Sequence, residues 1–142
     1  MKKFFALLAL SASIVACNNA ATAEGESTEE QSVNQVEAVK AEVMVLHDKT
    51  MAQMGKMGQL TTKLKAALPE ATDSSAFYNA INDLTQAKDS MMDWMRNFQN
   101  PDEMGGSEEE KIEYLNSEKA KMQDISDYTD RSIEKAKEVL SK

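Results

Sequence analysis

From Val36 onward, apolar side chains recur at intervals of three and four. Placed 100° apart, Val36, Val39, Val43, Leu46, Thr50, Met54, Met57, Leu60, Leu64 and Leu68 share one arc. Glu42, Asp48, Lys49, Lys56 and Lys63 fall mostly outside it. The spacing predicts a first helix from about Ser32 to Leu68, stopped by Pro69, which disfavours helix in the residue before it. A second helix opens at Asp73 as N-cap and carries Phe77, Ala80, Leu84, Ala87, Met91, Trp94, Met95 and Phe98 on one face. Asn100-Pro101 and Gly105-Gly106 then break the chain. Ser107-Glu108-Glu109-Glu110 reads as a capping box, with acids on the positive helix end. The third stripe is Ile112, Leu115, Met122, Ser126, Thr129, Ile133, Ala136 and Leu140. No strand alternation competes. The expected fold is all-α, three long amphipathic helices in an up-down-up antiparallel bundle. The long first and third stripes keep a coiled-coil dimer as an alternative, and Thr50, Ser126 and Thr129 on inner arcs imply a loosely specified core.

The chain before these helices reads differently. Lys2 and Lys3 precede an apolar stretch, Phe4 to Val15, that has the length of a signal-peptide core and is too short to span a bilayer. It ends Ile14-Val15-Ala16-Cys17, at the only cysteine of the chain. This resembles the bacterial lipobox, with an aliphatic residue at −3 and a small one at −1 before the Cys. By that resemblance residues 1–16 are a lipoprotein signal peptide, and Cys17 is lipidated and anchors the chain to a membrane. Each buried CH₂ of an acyl chain contributes about 0.8 kcal/mol to such anchoring. Asn18 is not the Asp that retains enteric lipoproteins in the inner membrane, which points to the outer membrane. Residues 17–31 hold no large apolar side chain and read as the acylated Cys and a flexible acidic tether, with the bundle at 32–141.

Composition narrows the chemistry. The 142 residues support one core. With 16 basic and 24 acidic residues the formal charge is −8; removal of 1–16 takes Lys2 and Lys3 and no acid, giving −10. That balance argues against nucleic acid, whose phosphates require a basic face. A single Cys excludes a disulfide framework, and a single His excludes three-His zinc and HExxH sites. Glu29-Glu30 and Glu108-Glu109-Glu110 are explained by solvation and helix capping, and no nucleophile–base pair can be assembled, so the chain reads as non-enzymatic.

The unusual count is ten Met against four Phe and one Trp. Met44, His47, Met51 and Met54 lie at spacings of three and four on one helix face. Folding the second helix back antiparallel with Leu68 level with Ser74 sets His47 beside Met95 and Met51 beside Met91, with Trp94 next to them. Thioethers and an imidazole are ligands that soft Cu(I) prefers, and an indole can shield the ion. Three readings stay open: core packing, since Met fills irregular gaps; an adaptable partner groove involving Met44, Met92 and Trp94; and a Cu(I) site of His47, Met51, Met54, Met91 and Met95.

The HDxxMxxM segment (His47, Asp48, Met51, Met54) and the MMxWMxxF segment (Met91, Met92, Trp94, Met95, Phe98) resemble those of short Bacteroidota lipoproteins commonly labelled "viral A-type inclusion protein". The resemblance spans about residues 36–115 and the lipobox start. It implies a helical lipoprotein of the bacterial envelope, and it assigns no catalytic residue. The expectation is therefore a membrane-anchored helical module that contacts an envelope protein or a second copy of itself. Cu(I) binding is the alternative.

Overall fold

The computed structural model describes the backbone of residues 26–142 and the side chains of residues 34–142. The expected signal peptide 1–16, Cys17 and most of the expected tether lie outside the described residues. Four helices follow: α1 (Glu26–Met51), α2 (Met54–Ala67), α3 (Ser74–Asn97) and α4 (Glu108–Leu140). Together α1 and α2 form the first rod, α3 returns antiparallel, and α4 runs back up. The all-α, up-down-up bundle is thus the fold, with no strand among the described residues.

Two boundaries differ from the hydrophobic pattern. α1 begins at Glu26 rather than near Ser32, so the last residues assigned to the tether are helical. The first rod is also not one helix but two. At its break the ladder tightens: Ala52 N–H donates to Asp48 O, Gln53 N–H to Thr50 O, and Met57 N–H to Gln53 O. An i→i−3 bond between i→i−4 bonds is a single 3₁₀ step. Thr50 Oγ1 donates back to Leu46 O (2.9 Å), a bond that bends helices. Asp130 on α4 pins both sides of the break, accepting from Lys49 Nζ at 2.9 Å and from Gln53 Nε2 at 2.8 Å.

The connections follow the expected signals. Leu68–Glu70 forms a 3₁₀ turn, and the Asp73 carboxylate caps α3 by accepting from Ala76 N–H. Pro101–Glu103 forms a second 3₁₀ turn, and Ser107 and Glu110 complete the capping box of α4. Gly106 has φ +102°, a conformation that costs L side chains strain.

Packing follows a seven-residue ladder. On the first rod Val36, Val43, Thr50, Met57 and Leu64 are buried; on α4 Leu115, Met122, Thr129 and Ala136 are. Cross-links between the parallel rods, Lys119 to Glu42, Lys49 to Asp130 and Gln53 to Asp130, join residues 77 or 81 positions apart. By that register Val36 is level with Leu115, Val43 with Met122, Thr50 with Thr129 and Met57 with Ala136. A strict repeat of seven is the signature of left-handed coiled-coil packing. The apolar core divides in two. One cluster holds Met57, Leu60, Leu64, Ala80, Leu84, Ala87, Ile133, Ala136 and Val139. The other holds Val36, Val43, Met91, Trp94, Leu115 and Met122. Buried Thr50, Ser126 and Thr129 belong to neither. Register places this polar layer at the helix break.

Candidate functional site

α1 lies chiefly against α4, and α2 packs on both α3 and α4. The space between α1 and α3 is therefore bridged by long side chains, and the His/Met/Trp residues occupy that seam. His47 Nε2 lies 3.4 Å from Met95 Sδ. The two residues are 48 positions apart, and the antiparallel count from the α2–α3 turn matches the contact. The imidazole stands 5.7 Å from the Trp94 ring, centre to centre, and Trp94 stands 4.8 Å from Phe98. Phe98 continues the row to Tyr114 at 6.1 Å. The Tyr114 hydroxyl accepts from Gln99 N–H at 2.7 Å, and burial pushes its acidity down, raising its pKa.

His47 Nδ1 lies 2.9 Å from Asp48 Oδ1. The Asp48 carboxylate holds the ring through Nδ1, so Nε2 is the nitrogen that faces the Met95 sulfur. The seam thus sets an imidazole nitrogen against a thioether sulfur. His47 is mostly buried (side chain 19% exposed), whereas Asp48 is open to solvent.

The other candidate residues divide by burial. Met91 is fully buried, and Met51, Met54 and Met95 are half-buried against the same cluster. Trp94 is 7% exposed, so it forms the wall of the seam rather than the floor of an open groove. Met44 and Met92, each 36% exposed, flank the His47–Met95 contact along the two helices, with Val45 at 68% beside Met44. Among the described residues no three His, Cys, Asp or Glu side chains converge on a metal position.

Glu118 was not on the predicted stripe, yet it is buried between Leu115 and Met122. Its carboxylate accepts from Lys121 Nζ at 2.6 Å, and this bond holds the Lys121 pKa above its ordinary range. A shallow cleft lined by Ser90, Asp93, Trp94, Asn97, Glu118 and Lys121 opens there, on the α4 side of Trp94. Trp94 Nε1 is buried without a partner. The i,i+3 spacing of Glu118 and Lys121 was the available signal.

Among the described residues no helix is long and apolar enough to cross a membrane. No family model matches the chain, and searches of curated proteins and of solved structures found no match.

Proposed function

We propose that this chain is a lipid-anchored helical module of the bacterial envelope, in the outer membrane, that acts through protein contacts rather than catalysis. The observation that carries the reading is Ile14-Val15-Ala16-Cys17, a lipobox-like end to a signal-peptide core, at the sole cysteine. An acidic body is repelled by anionic lipid, so attachment falls to the acyl chains. The resemblance of the His47–Met54 and Met91–Phe98 segments to Bacteroidota envelope lipoproteins supports the same placement. Met44, Val45 and Met92 support the contact role. They are the large apolar side chains left exposed beside the seam, and methionine-rich surfaces adapt to partners.

Cys17→Ser tests the anchor by cell fractionation. The wild-type chain is expected with membranes and the variant in the soluble fraction; retention of the variant with membranes would overturn the reading. A photo-cross-linking residue at Val45 tests the contact role in intact cells. A discrete adduct with an envelope protein or with a second copy is expected from Val45 and not from exposed Glu138. Equal, diffuse labelling from both positions would remove the support for a docking face.

A further inference from the structure

We propose that the seam between α1 and α3 is a binding site for a soft monovalent cation, Cu(I), with His47 Nε2 and Met95 Sδ as its first two ligands. The proposal goes beyond the docking role and stands independently of it.

With Nδ1 held by Asp48, Nε2 stands 3.4 Å from the Met95 thioether, and an imidazole nitrogen and a thioether sulfur are both metal-ligand atoms. An electrophile between them satisfies both at once. A metal bonded at about 2.0 Å to nitrogen and 2.3 Å to sulfur would subtend roughly 105° across that gap, an angle suited to three or four ligands.

The donors select the metal. Thioethers bind soft Cu(I) and serve hard or borderline divalent ions poorly. No cluster of carboxylates and imidazoles among the described residues offers those ions an alternative. Met51 lies one turn beyond His47 and packs against the same cluster, so register makes it the third ligand. Methionine has three rotatable bonds and can swing its sulfur inward.

Two surrounding features fit a bound cation. The Asp48 carboxylate on Nδ1 reproduces the carboxylate–histidine–metal arrangement, which fixes the ring, makes Nε2 a better donor and balances positive charge. Trp94 offers an indole 5.7 Å from the imidazole, nearly removed from solvent, as a wall that excludes water and attracts cations. Asp48 is thus a positioning residue, and Trp94 a shield and reporter.

The test is anaerobic titration of the full chain carrying Cys17→Ser, which removes the one competing thiol. Cu(I) is supplied as its acetonitrile complex against a competing chelator, and emission of Trp94, the only tryptophan, is followed in parallel. One equivalent is expected to bind with submicromolar affinity and to quench that emission at the same stoichiometry. Met95→Leu, which keeps the packing volume, and His47→Gln should each weaken binding at least tenfold. Asp48→Asn should weaken it about tenfold by loosening the ring. Helicity at 222 nm should be unchanged in all three. Met104→Leu, in the α3–α4 loop, should bind as tightly as the parent. Absence of saturable binding at micromolar Cu(I) would overturn the proposal. So would affinity unchanged in both Met95→Leu and His47→Gln. An equal loss in Met104→Leu would overturn it too, because affinity would then follow the number of thioethers rather than the seam.

Discussion

Thr129 is fully buried on α4, and its hydroxyl has no hydrogen-bond partner among the described residues. Valine has nearly the same shape, so Thr129→Val exchanges that hydroxyl for a methyl and leaves the packing in place. An orphaned buried hydroxyl costs about 1–3 kcal/mol in lost hydration. The surroundings moderate the gain, because Thr129 shares its layer with Thr50 and Ser126 rather than with aliphatic side chains. A stabilisation of about 1 kcal/mol is expected, the lower end of that range. Thr and Val have nearly equal helix propensities, so the backbone contributes little. For a chain of this size the change raises Tm by roughly 4 °C. Urea unfolding followed by circular dichroism at 222 nm should show a higher midpoint with an unchanged m-value. Thr50→Val supplies the control. Its hydroxyl already donates to Leu46 O, so no orphan is removed and no gain is expected. A loss of about 1 kcal/mol or more in Thr129→Val would refute the reasoning, since it would mean that the hydroxyl holds a buried water or a partner across the layer.

Other substitutions test neighbouring parts of the argument. Gly106→Ala places a Cβ at φ +102° against the Glu110 carboxylate of the capping box and should cost about 1–3 kcal/mol, while Gly105→Ala meets open space and should be nearly neutral; thermal melts of the pair decide this. Met91→Ala empties a fully buried position and should cost about 2–5 kcal/mol, against less than about 0.5 kcal/mol for exposed Met92→Ala, measured by urea unfolding. Asp130 has its pKa lowered by hydrogen bonds from Gln53 and Lys49, so its contribution is present above the unfolded carboxylate range near pH 4 and is lost as pH falls through the lower folded value. At pH 7 Asp130→Asn should therefore destabilise, by less than about 1 kcal/mol because the pair is half-exposed, and the difference from wild type should vanish in acid.

The hydrophobic arcs were the most legible feature of this chain, and the reason is geometric. Every residue placed on the first arc is buried or half-buried, from Val36 to Leu68. The break at residues 52–53 escaped because the buried ladder Val43, Thr50, Met57 keeps its interval of seven straight through it. Periodicity detects a change of phase, and this break makes none. It is signalled instead by a polar side chain at a ladder position, Thr50, whose hydroxyl bonds back to Leu46, and by the reach of Asp130 across from α4. Glu118 is absent from the α4 stripe for the opposite reason: its angle is inner, but the stripe is read from uncharged side chains and Glu118 is charged. Lys121, one turn on, resolves the conflict by carrying the opposite charge back to solvent. The early start of α1 follows from the same gap, since Glu and Gln extend a helix by propensity without an apolar face to reveal it.

The seam was legible because two rods joined by a short turn have almost no freedom of register. Each residue advances about 1.5 Å along a helix, so an error of one residue in the α2–α3 turn displaces the pairing by less than a third of a turn. Counting 21 positions back from Leu68 and 21 on from Ser74 therefore had to bring His47 within one turn of Met95, provided that the first rod stayed straight enough. The 3₁₀ step at Gln53 bends it without restarting its rise, and the observed 3.4 Å contact lies beyond that step. What counting could not supply is the direction of the ring. Asp48, the next residue in sequence, is the group that turns Nε2 toward the sulfur, because its carboxylate claims the other nitrogen. A neighbouring acid beside a lone histidine thus decides which ring nitrogen faces the seam, and the Asp48→Asn variant separates that orienting role from simple packing.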